Sequence, residues 1–365
     1  MQPTIIKHSV TGLGFLLLLS IALPVSLNAQ HKVSTFPDTT WMQYAHPEEA
    51  GWSTEGIEEA RAFADSVGSR AVMLVYNGAI VAEWGFVEDL APIASIRKSL
   101  LSALFGISVD EGLIDTTSTL AELNIDDISP LSDQEKQANI NHLLSSSSGV
   151  YHLAAAEPPA LVKPERGSAK PGEQWLYNNW DFNVLAAIYE DETGRQIFNA
   201  FEEQIAKPIG MEHYHPDWGS YSLQPNRSKF PAYDLWMSAR DMARFGLLYL
   251  NNGKWNDRKI ISEEWIDASR HVHHEIPAEH AVGYGLSWWV PAGTLEKYGA
   301  YHASGAGNQL ITILPKLNIV FVQRASSILD EGVFGLDARE ILYRLLDART
   351  GEKTLQPRLV PAGNR

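Results

Sequence analysis

The sequence predicts an α+β protein in which helices flank one mostly antiparallel sheet and a further, all-helical domain is inserted into the chain. Two β-prone runs near the amino end, residues 71–76 and 79–86, are joined by Asn77-Gly78, the strongest short-range signal of a hairpin. Strand patterns return in the last third, whereas residues 95–210 hold helical runs and polar connectors. We therefore expect an α/β sandwich whose sheet is built from both termini.

The individual elements follow from hydrophobic periodicity. Residues 54–66 place their apolar side chains on one helical face, and Ser53 or Thr54 can cap that helix. A chain rich in Pro and Gly from Gly351 onward predicts a loosely ordered tail. The remaining elements are helices at 95–109 and 180–192, strands at 284–290, 309–314 and 319–325, a turn at 315–318 and an amphipathic helix at 337–349.

These patterns divide the chain into an inserted domain and a surrounding one. The predicted segments are a signal peptide at 1–29, a sheet domain at 30–94 and 235–350, a helical domain at 95–234 and a tail at 351–365.

The first residues have the pattern of a secretory signal. Lys7 is followed by an apolar run at 13–23 and by a small residue, Ala29, at the expected cleavage site. A membrane-spanning helix needs about 20 apolar residues, so an uncleaved anchor is the weaker alternative. We expect an exported protein, periplasmic or secreted, with no stable membrane span after cleavage.

Composition excludes several functions. The 365 residues carry a net charge of −15 and contain no cysteine. The missing cysteines rule out disulfides, thiolate metal sites and a cysteine nucleophile. The negative charge argues against a nucleic-acid partner, because duplex binders need a basic face.

Ser95-Ile96-Arg97-Lys98 is an S-x-x-K tetrad at the start of an apolar helix. Residues three apart share a helical face, so Lys98 would lie beside Ser95. Burial lowers the pKa of an amine, which could then accept the serine proton. The alternative is a capping serine followed by a solvated lysine.

Several further motifs identify a family. Tyr177-Asn178-Asn179 matches a Tyr-x-Asn element, and the other matching segments, in family order, are 71–86, 109–115, 140–150, 171–179, 208–211 and 238–242. Together they resemble the serine β-lactamase and penicillin-binding-protein superfamily, and within it the class C-like esterases and amidases. Residues 168–183 look closest to the branch that includes 6-aminohexanoate-dimer hydrolases. The resemblance implies a β-lactamase/transpeptidase-like fold.

This sequence departs from the family pattern at the third motif, which is Lys-Thr-Gly. No Lys-Thr-Gly is present, and the best match aligns Ala303 with the lysine, Ser304 with the threonine and Gly305 with the glycine. His302 could replace the lysine, shifted by one residue, although strand neighbours face opposite ways. Because the lysine ammonium of this motif is absent, the resemblance favours hydrolysis of a β-lactam or of a D-Ala-D-Ala peptide less.

The resemblance also implies a mechanism. Ser95 would attack the acyl carbon, Lys98 and Tyr177 would share the base role, and Tyr177 would return the proton to the leaving group. Asn179 would hold Lys98 and the substrate. The N–H of Ser95 and one near Gly305 or Ala306 would bind the oxyanion. A tyrosine beside an ammonium would have its anion favoured, and no metal or organic cofactor is implied.

We therefore expect a secreted serine hydrolase that cleaves a small ester or amide. The alternatives are a β-lactamase or D-Ala-D-Ala carboxypeptidase, and a catalytically silent envelope binding protein. The histidine-rich stretch at 271–280 could bind a metal, but zincin spacing fails and a solvated loop is the favoured interpretation. Trp175, Trp180 and Trp288 lie near motif positions and could line the cleft.

Overall fold

A computed structural model describes residues 35–158, 161–276, 282–325 and 335–363, so the predicted signal peptide lies outside the described residues. The described part of the chain forms one compact unit. Its strands are β1 Met42–Tyr44, β2 Ser69–Tyr76, β3 Ala79–Gly85, β4 Ala91–Pro92, β5 Ser220–Ser222, β6 Ala232–Asp234, β7 Trp236–Met237, β8 Lys254–Trp255, β9 Arg258–Lys259, β10 His274–Glu275, β11 Val282–Tyr284, β12 Trp289–Pro291, β13 Tyr301–Gly305, β14 Gln309–Leu314, β15 Ile319–Ala325 and β16 Leu359–Pro361. Its α-helices are α1 Thr54–Ser66, α2 Ile96–Asp110, α3 Ile140–Leu144, α4 Asn179–Thr193, α5 Ile197–Phe201, α6 Ala239–Leu250, α7 Glu263–Arg270 and α8 Gly335–Asp347.

One ten-stranded sheet dominates the fold. Its strand order is β10-β11-β12-β13-β14-β15-β2-β3-β1-β16. Neighbouring strands are antiparallel except for β1 and β3, which are parallel. The central contact joins β15 to β2, so strands from the two ends of the chain meet there. The predicted α+β class and mostly antiparallel sheet are confirmed.

Alternating strand residues bury both faces of the sheet. On β15, Val320 and Val322 pack toward α2 and α6, whereas Ile319 and Phe321 pack toward α1 and α8. All four side chains are fully buried, and burial of such a side chain contributes about 1.5–3 kcal/mol. The sheet is therefore the middle layer between two helical layers.

Two predicted elements are wrong. The predicted strand at 284–290 is interrupted by a turn at 285–288 between β11 and β12, where Gly285 N donates to Trp288 O over 2.8 Å and Ser287 has a φ of 63°. The supposedly loose tail contains β16, which pairs antiparallel with β1. Local composition cannot reveal that pairing, since the two strands are distant in sequence.

The predicted insert begins and ends at neighbouring points. β4 pairs with β7, and Ile93 N donates to Leu235 O over 3.0 Å. The insert also contains the strand pair β5–β6, so the expectation of an all-helical segment is wrong. Its boundaries at 95 and 234 stay a prediction. Among the described residues, no helix combines the length and apolarity needed to cross a membrane.

Candidate active site

Ser95 lies at the start of α2, immediately before its first helical residue. Its side chain is partly exposed and makes no capping hydrogen bond. The preceding residue, Ala94, has a φ of 48°, which is uncommon for a residue with a β-carbon and is typical of strained functional segments. The hydroxyl is therefore free for another role.

Lys98 connects the residues that the sequence singled out. Its Nζ lies 3.0 Å from Ser95 Oγ, 2.7 Å from Tyr177 OH and 2.8 Å from Asn179 Oδ1. Only 2% of Lys98 is exposed. The alternative of a capping serine and a solvated lysine is therefore wrong.

The environment of Lys98 favours a neutral amine. Burial, reinforced by the nearby Arg97 guanidinium, lowers the pKa of Lys98 well below its usual range. None of the ion pairs among the described residues includes Lys98. Asn179 Oδ1 can only accept a hydrogen bond, so one amine N–H points toward it. A neutral amine then has one N–H and one lone pair for the hydroxyls of Ser95 and Tyr177.

Tyr177 differs from expectation in its ionisation. Burial raises its pKa to about 12, although the Ser95 hydrogen bond and Arg97 act in the opposite direction. The expected preference for the phenolate is therefore wrong, because burial disfavours the charged form of Tyr177 more than its neighbours favour it. Tyr177 remains a phenol that can relay a proton.

Asn179 is held at the first turn of α4. The helix cap is its neighbour Asn178, whose side-chain oxygen accepts from Trp180 N over 3.1 Å. Asn179 Nδ2 donates to Ala156 O over 2.6 Å, which fixes the orientation of the amide. Its Oδ1 consequently faces Lys98.

Gly305 allows β13 to approach the nucleophile closely. A β-carbon on Gly305 would lie 2.5 Å from Ile93 O and 3.1 Å from Ser95 N. Within the described ranges, neither Ser95 N nor Ala306 N donates to a protein acceptor. β12 pairs with β13 only at Trp289–His302, so the strand edge leading to Gly305 is open. Ser95 N and Ala306 N, on the two segments that meet at Gly305, are thus available as oxyanion donors.

Replacement of Gly305 by alanine is expected to displace β13 from Ser95, since the new methyl group would overlap Ile93 O. Loss of one oxyanion donor lowers kcat by about 10²- to 10³-fold. Steady-state hydrolysis of an activated ester measures this effect. Gly293→Ala is the control for backbone strain, because Gly293 has open space around it but a φ of 76° that disfavours alanine; an equal loss there would contradict the assignment.

His302 and Ser304 lie on the other face of β13. Tyr301, Ala303 and Gly305 are buried toward α2, whereas His302 and Ser304 border a cavity of about 330 Å³. Burial and Arg339 lower the pKa of His302 to about 4. Within the described residues, His302 makes no hydrogen bond to Ser95, Lys98 or Tyr177. The structure therefore does not bring it to the position of the missing lysine.

Of the three tryptophans selected from the sequence, one borders the site. The Trp175 ring lies 6.5 Å from that of Tyr177, while Trp180 and Trp288 are fully buried in the core. Trp289 was missed, although its ring is 5.3 Å from Tyr177. Its position at the start of β12, directly after the turn, is visible only in the fold.

The histidine-rich stretch is only partly described, because residues 277–281 lie outside the described residues. His271 and His273 contact each other edge to face at 5.5 Å. In the part of the chain that the structure describes, no three His, Asp or Glu side chains converge as a metal site would require.

Comparison with known proteins agrees with this geometry. An uncharacterized protein of Alkalihalophilus pseudofirmus is 24% identical over 299 residues, covering 70% of this chain and 83% of that protein. The D-alanyl-D-alanine-carboxypeptidase/endopeptidase AmpH of Escherichia coli K12 is 22% identical over 269 residues, covering 64% and 70% of the two chains. A structure from Bacillus anthracis assigned as a 6-aminohexanoate-dimer hydrolase superposes with a TM-score of 0.61 at 24% identity, covering 81% and 83%.

The family model "Beta-lactamase" matches residues 57–327, which include Lys98, the three residues around it and the strand β13. The match spans most of the chain and agrees with the predicted superfamily. The chain therefore belongs to the β-lactamase family and is a serine hydrolase.

Proposed function

We propose that this protein hydrolyses a small ester or amide through an acyl-enzyme on Ser95. The observation that carries the proposal is the position of Lys98 Nζ, within 3.0 Å of Ser95 Oγ and 2.7 Å of Tyr177 OH. A neutral amine at that point can accept the proton that Ser95 loses. The partner is thus a small-molecule substrate, and the reaction requires no group besides these side chains and water.

The proposed reaction has two halves. Ser95 Oγ bonds to the acyl carbon while its proton passes to Lys98, and the N–H groups of Ser95 and Ala306 bind the carbonyl oxygen. As the bond to the leaving group breaks, Tyr177 donates its proton to that group and regains one from Lys98. Water then attacks the acyl-enzyme by the reverse proton path and releases the acid.

Covalent labelling tests the nucleophile. A fluorophosphonate probe should react with the folded protein, and tandem mass spectrometry should locate the adduct on Ser95. Absence of labelling, or an adduct elsewhere, would contradict the proposal and favour a silent binding protein.

The presence of alanine at position 303 favours a substrate that lacks the carboxylate carried by β-lactams and D-alanyl peptides. It occupies the position aligned with the family lysine and is fully buried, so no cation is supplied there. A peptidase acting on D-alanyl substrates is the second candidate, favoured by the similarity to AmpH. A panel of phenyl acetate, nitrocefin, a D-alanyl-D-alanine peptide and the 6-aminohexanoate dimer separates them. Rapid turnover of nitrocefin or the D-alanyl peptide without esterase activity would make a β-lactamase or D-alanyl peptidase the favoured function in place of an esterase or amidase.

The pH dependence follows from Lys98. Its base form is present above its lowered pKa and is lost as the pH falls through that pKa, so kcat/KM should fall on the acid side. Tyr177 stays protonated up to about pH 12, and we expect a plateau rather than an alkaline limb at moderate pH. Measurement of kcat/KM from about pH 4 to pH 10 tests this. A rise centred near the ordinary lysine value of about 10.4 would contradict it.

We further propose that the protein is exported. Lys7, the apolar run at 13–23 and Ala29 support a cleaved signal peptide. Amino-terminal sequencing of protein recovered from the periplasm or medium should then begin at Gln30. Retention of residues 1–29 would contradict cleavage.

A further inference from the structure

The amide of Asn179 can face Lys98 in two ways, and only one of them leaves Lys98 able to act as a base. In the observed orientation, Asn179 Oδ1 accepts a hydrogen bond from Lys98 Nζ over 2.8 Å. A reversed amide would present an N–H donor instead, and a neutral amine can accept it only with its lone pair. In the proposed function, on which this inference rests, the same lone pair receives the proton of Ser95. The orientation of the amide therefore decides whether the base is free.

The carbonyl of Ala156 selects the observed orientation. It accepts from Asn179 Nδ2 over 2.6 Å, and it could not pair with the oxygen of a reversed amide. The neighbouring Ala155 O accepts from Asn183 Nδ2 over 3.2 Å, one turn further along α4. Ala156 has a φ of 54°, a conformation that persists in a residue with a β-carbon only where its surroundings hold it. The turn at 155–156 must therefore be held by contacts elsewhere in its loop.

A buried ion pair closes the loop that carries this turn. Lys163 pairs with Glu157, the residue directly after the turn. The Lys163 ammonium also donates to His152 O, ahead of the turn. The side chains of Lys163 and Glu157 are only 9% and 7% exposed, and Arg227 lies 3.7 Å from the second oxygen of Glu157. Lys163 thus joins the residues on both sides of the turn.

We propose that Lys163 is a positioning residue for the catalytic base: its contacts fix the turn at 155–156, whose carbonyl keeps the amide oxygen of Asn179 directed at the amine. Lys163 itself touches no reacting atom. Its loss would leave Glu157 without its main partner in a buried place, release the turn and allow the amide to reverse. The reversed amide would then occupy the lone pair that Ser95 needs.

The rate constant for fluorophosphonate labelling of Ser95 measures this effect. It can be followed over hours in slow variants, and it does not depend on the fraction of folded protein. Lys163→Met should lower it about 10- to 100-fold, the cost of a misplaced group in a catalytic arrangement. An unchanged rate constant would overturn the proposal. If Lys163→Met does not fold, Glu157→Gln removes the partner's charge with a smaller change of shape, and the rate constant should fall in the same direction.

Arg166→Met is the matched control, three residues further along the same segment. Arg166 pairs with Glu135 over 2.6 Å and donates to Pro130 O over 2.9 Å. Its loss therefore also removes an ion pair with a buried carboxylate, but one that reaches residues 130–135 rather than the turn. Arg166→Met should lower the stability measured by thermal unfolding and leave the labelling rate constant nearly unchanged. An equal fall in both variants would overturn the specific role of Lys163.

A double-mutant cycle separates positioning from a purely structural role. In Asn179→Ala no amide remains to reverse, so addition of Lys163→Met should change the labelling rate constant little. A further fall as large as that in the wild-type background would overturn the proposed action through Asn179 and leave the hydrolase proposal intact. Absence of both labelling and hydrolysis in the wild type would instead overturn both proposals.

Discussion

Replacement of Ser95 by alanine is expected to reduce ester hydrolysis by at least about 10³-fold, since the nucleophile and its covalent intermediate are lost. Fluorophosphonate labelling should disappear with it. The fold should remain, because the Ser95 side chain is partly exposed and caps no helix. Circular dichroism and thermal unfolding measure that second expectation.

Ser99→Ala is the matched control, on the next turn of the same helix. Ser99 Oγ donates to Ser287 O over 2.6 Å and is buried, so its loss leaves a carbonyl unsatisfied. Such a loss costs about 1–3 kcal/mol of stability, yet turnover per folded molecule should change little. If Ser99→Ala abolished labelling and Ser95→Ala did not, the assignment of the nucleophile would be wrong.

Replacement of Lys98 should be nearly as severe, with about 10²- to 10⁴-fold loss of kcat, the range of general base catalysis. Lys98→Arg is the most informative substitution, because arginine stays protonated and therefore cannot accept the proton of Ser95. We expect Lys98→Arg to be as inactive as Lys98→Ala. Initial rates with an activated ester measure both.

Chemical rescue distinguishes a base from a structural lysine. Small primary amines should restore part of the activity of Lys98→Ala by entering the space of the lost side chain, and should not restore Ser95→Ala. Lys207→Ala is the surface control, since the Lys207 side chain is 64% exposed. Wild-type turnover by Lys98→Arg would refute the role of a neutral amine.

Local patterns predicted the framework of the fold well. The helix over residues 54–66 and the strands at 309–314 and 319–325 agree with α1, β14 and β15. Apolar periodicity within one element is enough for such assignments. The predictions failed where pairing with a strand distant in sequence creates the element, as at β16. They also failed where a turn interrupts an apolar run, as between β11 and β12.

For the candidate site too, the sequence predicted the residues involved but not every property that depends on the fold. The S-x-x-K and Tyr-x-Asn motifs singled out Ser95, Lys98, Tyr177 and Asn179, and the fold places their side chains around one amine. The pattern could not give the ionisation of Tyr177. Whether its anion or its phenol is favoured depends on the burial of both partners, which is a property of the assembled domain.

By itself, the sequence determined the fold class, the family and the chemical identity of the reacting groups, because motif spacing along helices and strands is a local property. Only the tertiary structure decided how these groups are used. Packing dehydrates Lys98 and Tyr177, brings Gly305 against Ile93 and Ser95, and turns His302 and Ser304 toward the opposite face of β13. These features depend on desolvation and strand pairing between residues that are far apart along the chain.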